Sequence, residues 1–184
     1  VHPFTAEIHP CDVRITTRYK KNDIFHSIGS TIHEAGHGLY EQGLPVEYFG
    51  TPLAQSVSLG LHESQSRLWE NNIGKSKEFW KYLYPKLKKE FSDPFNKISF
   101  DEIYKVINKV APSLIRTEAD EATYNLHIIL RFEMEKEMIE GSIDLKDLPK
   151  IWNFKIKEYF GINVPSDSLG VLQDVHWSCG LIGY

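Results

Sequence analysis

His33-Glu34-Ala35-Gly36-His37 sets two imidazoles four residues apart with a carboxylate between them. On a helix, residues four apart share a face, so the two imidazoles can grip one zinc ion while Glu34 handles a proton. The reading turns on whether a helix carries the stretch. Ile24, Phe25, Ile28, Ile32, Ala35 and Leu39 recur around it at three- and four-residue spacings, Asn22 or Asp23 can cap the start, and Gly43 suits the end. Gly36 leaves space for a neighbouring chain or a substrate to come close. The plainer account of the same residues is an ordinary amphipathic helix whose histidines and glutamate meet only water.

A catalytic zinc takes three protein ligands and keeps its fourth position for water, so a third donor is expected elsewhere. Glu63, in His62-Glu63-Ser64-Gln65, is the first candidate, and His62 is a possible substitute. Thr51-Pro52 can open a helix here and Gly74 can close it, with Leu53, Val57, Leu61, Leu68 and Trp69 as its apolar stripe. The connection 44–50 is long enough for this helix to fold back on the first, which predicts His33, His37 and Glu63 converging on one point. A solvated helix carboxylate is the competing account of Glu63.

Outward from these two segments the pattern is mainly α. Asp12-Val13-Arg14-Ile15-Thr16 alternates like a strand, the short β element expected near residues 12–18. Ser76 can open a helix toward Phe91, and Ser99 with Glu102 has the capping-box spacing ahead of Ile103, Val106, Ile107 and Val110. Pro112 interrupts, a periodic run from about Ile115 to Glu140 ends at Gly141, and a last helix from Pro149 to Phe160 ends at Gly161. The 184 residues, 41% of them hydrophobic, fit one domain with a substantial core.

A net charge of -4 with a pI near 6.1 leaves no footprint for nucleic acid, and no apolar run is long enough for a membrane. The lysines at 75, 77, 81, 86, 88 and 89 interleave with Phe79, Trp80, Leu83 and Leu87 as a wet helix face does. Partners are therefore expected to be peptides or further copies of the chain. Cys11 and Cys179 make no disulfide framework, and no leader pattern opens the sequence, so reduced thiols and a cytoplasmic location are expected. A start without methionine and an apolar end at Leu181 to Tyr184 predict a piece of a longer chain.

Further short motifs accompany the first: His2-Pro3-Phe4, Asp12-x-Arg14-x-Thr16, His62-Glu63-Ser64-Gln65, Ile115-Arg116-x-x-Ala119-Asp120 and Gly170-x-x-Gln173-Asp174-x-His176-Trp177. In this order the set resembles the signature of the metallocarboxypeptidases of the thermostable carboxypeptidase 1 (carboxypeptidase Taq) family. The resemblance runs from His2 to Trp177. It implies a mainly helical, zincin-like metallopeptidase fold with a groove, a Zn2+ or Co2+ ion at its floor, removal of single residues from peptide C-termini, and homodimers.

Carried over motif by motif, His33, His37 and Glu63 are the expected metal ligands, and Glu34 is the base that deprotonates a metal-bound water and returns the proton to the leaving amine. A terminal carboxylate calls for an arginine fork, for which Arg116 is the first choice and Arg14 the second, each weighed against a structural ion pair. His176 and Tyr184 are candidate donors to the oxyanion. Asp12, Asp120 and Asp174 are candidates to hold the metal histidines by their second ring nitrogens, and His2 is a candidate for the groove wall. Members of the family are longer, so residues 1–184 are expected to be a catalytic domain without N-terminal and C-terminal helical regions, whose hydrophobic faces promote association. An oligopeptidase or endopeptidase on the same ligands and a non-catalytic metal-binding fragment that self-associates are the alternatives.

Overall fold

Asp23 accepts the N–H of His26 and starts α1 (Ile24–Gln42), and Gly43 ends it by donating its N–H to the carbonyls of Leu39 and Tyr40. In the computed structural model, which describes residues 3–182, α1 lies in the first of two compact units, Val1–Ile107 and Asn108–Tyr184. Each unit has its own core.

The first unit opens with an antiparallel hairpin, β1 (Thr5–His9) and β2 (Asp12–Ile15), in which Ala6 faces Arg14 and Glu7 faces Val13. Only its second strand is legible as an alternating pattern. Phe4 and Thr16 close the open end, with the Phe4 N–H donating to Thr16 Oγ1 at 2.9 Å. The hairpin sits against α1, where a Cβ added to Gly38 would lie 3.5 Å from Val13 Cγ1 and 3.7 Å from Ile15 Cγ2.

The segment expected as one helix from Thr51 to Gly74 is broken. Thr51 caps only a 3-10 turn, Pro52–Ala54, after which Gln55 is extended. Ser58 accepts the N–H of Leu61 and starts α2 (Leu59–Arg67), which runs on into one π-helical stretch, Leu68–Ile73. The apolar stripe foreseen there is exposed at Leu53, Val57, Leu61 and Leu68. What α2 turns toward α1 is instead small and polar: Ser66 is fully buried, and a Cβ added to Gly36 would lie 2.7 Å from Ser66 Cα. The space left by Gly36 is therefore filled by the second helix of the same unit.

Beyond the π-helical stretch, α3 (Lys77–Glu90), the short α4 (Ser92–Phe95) and α5 (Phe100–Ile107) gather the core of this unit. Trp80, Tyr84, Leu87, Phe95 and Ile103 are buried together, and Ile24, Phe25 and Ile28 of α1 pack against them. The expected capping box is present, with Glu102 accepting from the Ser99 N–H at 2.8 Å.

In the second unit the run from Ile115 divides into a 3-10 turn, Arg116–Glu118, and α6 (Glu121–Ile139), whose cap is Asp120. Next come α7 (Leu148–Phe160), closed by Gly161 at a left-handed φ of 70°, and α8 (Val175–Ser178), capped by Asp174. Leu130, Met134, Trp152, Ile156 and Phe160 form the core, with Leu114 and Trp177 against it. No helix among the described residues is long and apolar enough to cross a membrane.

Candidate metal centre

His33, His37 and Glu41 follow at four-residue steps along α1, and Glu63, Arg67 and Glu70 line the facing edge of α2 and its π-helical continuation. The two polar rows meet. Ligand atoms of His33, His37 and Glu63 all lie within 4.8 Å of one another. Glu63 Oε2 stands 3.6 Å from His33 Nε2 and 3.3 Å from His37 Nε2. Two donors each about 2.0–2.1 Å from a tetrahedral zinc lie roughly 3.3–3.4 Å apart, so this spacing and this donor chemistry suit such an ion.

The remaining ring nitrogens have partners as well. His33 Nδ1 meets Glu70 Oε2 at 2.8 Å, and His37 Nδ1 meets His62 Nδ1 at 2.6 Å. His62 Nε2 in turn meets Glu41 Oε1 at 2.5 Å. Arg67 ties the row together by donating to Glu63 Oε1 at 3.2 Å and to Glu70 Oε2 at 2.9 Å. Burial pushes the Glu63 carboxyl up, but the neighbouring His37, His33 and Arg67 outweigh it and bring it down to about 2. Glu70 is lowered by the same balance of burial against the His33 bond and Arg67.

Glu34 is buried beside the histidines and is held from the hairpin. Thr5 Oγ1 donates to Glu34 Oε2 at 2.8 Å and lies 2.9 Å from the Glu34 carbonyl oxygen. One hydroxyl proton serves one of these acceptors at a time.

The three aspartates expected behind the histidines are elsewhere, and each placement has a local cause. Asp12 forms a two-point pair with Arg14, at 2.9 Å through each oxygen, on an exposed strand. Asp120 accepts from the N–H groups of Ala111, Ala122 and Thr123 and so serves as a cap. Asp174 pairs with buried Arg131 and caps α8. The partners of His33 and His37 are Glu70 and His62 instead. Glu70, Glu41, Arg67 and Thr5 carry no motif, yet Glu41 was marked by its helical spacing from His33 and His37, and Glu70 by lying seven residues after Glu63.

Arg116 precedes α6 rather than standing in it, and its Nη1 donates to Tyr124 Oη at 2.7 Å. With Leu114, His127, Arg131, Trp152, Gln173, Asp174 and His176 it lines one pocket of the second unit. His176 Nδ1 lies 3.3 Å from Asp174 Oδ1. His2 and Tyr184 fall outside the described residues.

The profile of the Carboxypeptidase Taq (M32) metallopeptidase family matches residues 1–184. Thermostable carboxypeptidase 1 of Thermus thermophilus is 48% identical over 183 residues, covering 100% of this chain and 36% of that protein. Carboxypeptidase 1 of Bacillus subtilis is 46% identical over 184 residues, covering 100% and 37%. The crystal structure of the M32 carboxypeptidase from Deinococcus radiodurans R1 superposes with a TM-score of 0.95 at 48% identity, over 99% of this chain and 37% of that one. The chain thus spans little more than a third of the length of these relatives.

Proposed function

The chain belongs to the Carboxypeptidase Taq (M32) metallopeptidase family, and from that premise we propose that it is a metal-dependent carboxypeptidase that removes single residues from the C-termini of peptides. The observation that carries the reading is the convergence of His33 Nε2, His37 Nε2 and Glu63 Oε2 at 3.3 and 3.6 Å. These three hold the ion, for which zinc is proposed first and cobalt second, since two imidazoles and a carboxylate accept either. Bound there, the cation supplies Lewis acidity that polarises a carbonyl and makes a water easier to deprotonate.

Glu34 would take a proton from a water at this site and return it to the departing amine, with Thr5 Oγ1 holding its carboxylate by a hydrogen bond. Arg116, braced by Tyr124, binds the free terminal carboxylate of the substrate with its planar fork. Arg14 is the weaker choice, since Asp12 already occupies two of its donors. His176 donates toward the developing oxyanion, a role proposed for Tyr184 as well. The free cysteines agree with a cytoplasmic protein, and exposed Val57, Leu59, Leu61 and Leu68 support a homodimer.

The test pairs metal analysis with hydrolysis of one peptide in two forms, with a free and with an amidated C-terminus. One zinc per chain and cleavage of the free acid alone are expected. Glu34→Gln should keep the zinc and lose on the order of 10²- to 10⁴-fold in kcat. Equal cleavage of both peptides would indicate an endopeptidase, and bound zinc without any turnover a non-catalytic metal-binding chain; either result overturns the carboxypeptidase reading.

A further inference from the structure

The two proposed metal histidines are backed differently. His33 Nδ1 faces a carboxylate directly, whereas His37 Nδ1 faces another imidazole, that of His62, whose far nitrogen rests on the carboxylate of Glu41. Glu41 is only 6% exposed, and the side chains of His37 and His62 are largely buried. A buried carboxylate can only accept in such a contact, so His62 carries a proton on Nε2. When His62 is neutral, its Nδ1 is then a lone pair, and a hydrogen bond at 2.6 Å requires the proton between the rings to sit on His37 Nδ1. His37 is left with its lone pair on Nε2, the atom 3.3 Å from Glu63 Oε2.

We propose that Glu41 and His62 are positioning residues that together fix His37 in the tautomer able to bind the metal. The inference rests on the metal site His33, His37 and Glu63 proposed above and assigns no ligand role to His62. The buried charge of Glu41 acts on the cation through two rings: it holds the Nε2 proton of His62, which keeps the Nδ1 proton on His37 and makes the Nε2 of His37 a stronger donor. An amide at position 41 is the informative change. In Glu41→Gln the new side chain fits the same space, but its NH2 can donate to His62 Nε2; His62 then protonates at Nδ1 and asks His37 to accept, which moves the His37 proton onto Nε2, where it opposes metal binding.

Glu7 brings a further carboxylate to the same corner, with ligand atoms of Glu7, Glu41 and His62 within 4.8 Å of one another. The relay requires that this trio hold no cation, because the Nε2 of His62 is protonated.

The experiment measures zinc dissociation constants by chelator competition for the parent, Glu41→Gln, Glu41→Asp and His62→Gln, with circular dichroism as the check on folding. The parent should bind one equivalent. Glu41→Gln and His62→Gln should each bind zinc about 10- to 100-fold more weakly, and Glu41→Asp should recover part of the loss. If one variant fails to fold, the others carry the comparison. In the zinc-loaded parent, long-range proton–nitrogen correlation should show His62 protonated on Nε2 and bare on Nδ1. The visible spectrum of the cobalt form should keep its shape in His62→Gln, since the ligand set is unchanged. Zinc affinity of Glu41→Gln within twofold of the parent, a proton found on His62 Nδ1, or a second zinc equivalent lost with His62 would each overturn the relay. A parent that binds no zinc would instead overturn the metal site itself.

Discussion

At the scale of single residues, legibility depended on whether a residue works with its sequence neighbours or across the fold. His33, Glu34 and His37 form one helical turn, so their juxtaposition could be read from spacing, and Glu63, proposed as the third ligand, was sought because one more donor was needed. Thr5 could not. It reaches Glu34 only because a hairpin folds onto α1, and nothing within five residues of it hints at that contact. Thr5→Val should therefore leave zinc affinity unchanged and lower kcat roughly 5- to 10-fold, the loss expected of one hydrogen bond worth about 1–1.5 kcal/mol, with little change in KM. Thr5→Ser keeps the hydroxyl and should keep the rate. Equal kcat values for the Val and Ser variants would show that the base needs no such support. The aspartates were misjudged for the opposite reason: Asp120 and Asp174 stand immediately before helices, and a local cap satisfies them without any distant histidine.

At the scale of elements, caps were read more reliably than packing faces. Asp23, Ser76 and Ser99 start their helices as the sequence indicated. On α2 the apolar positions suggested a buried stripe, but close approach to α1 selected the face with Ser66, because only small groups fit opposite Gly36. The π-helical stretch 68–73 left no mark in the periodicity, although it carries Glu70 to His33. Gly36→Ala tests this packing. The added methyl would meet the backbone, at 2.7 Å from Ser66 Cα and 2.9 Å from Gln65 O, so α1 and α2 must part. Overpacking of about 1–3 kcal/mol outweighs the gain of about 1 kcal/mol that alanine brings to a helix, and zinc affinity should fall as Glu63 retreats from the histidines. Gly29→Ala is the control on the same helix, where the nearest atom is Glu70 Oε1 at 4.0 Å. It should be neutral or stabilising in urea unfolding, and a destabilisation equal to that of Gly36→Ala would remove the steric explanation.

At the scale of the whole molecule, the chain divides into two units with separate cores, and the groups that tie stability to solution conditions lie in both. The proposed metal ligands all lie in Val1–Ile107, so zinc at 100 times its dissociation constant should stabilise that unit by about 2.7 kcal/mol. A group sensitive to mild acid is in Asn108–Tyr184. His127 is buried against Phe160, its Nε2 has no hydrogen-bond partner, and burial together with the charge of Arg116 outweighs the Ser113 carbonyl and Asp120 to bring it down to about 4. An unfolded histidine titrates near 6.5, so between about 6.5 and 4 the unfolded chain binds a proton that the native unit refuses. Stability is then complete above pH 6.5 and falls as pH drops through that window, by up to about 3 kcal/mol, with no further loss from this group below pH 4. Calorimetry at pH 7.5 and pH 5, with and without zinc, should resolve two transitions, one raised by zinc and the other lowered by acid. His127→Phe keeps an aromatic ring beside Phe160 and should remove most of the acid sensitivity of the second transition alone. A single transition that responds to both zinc and acid would show that the two cores unfold as one.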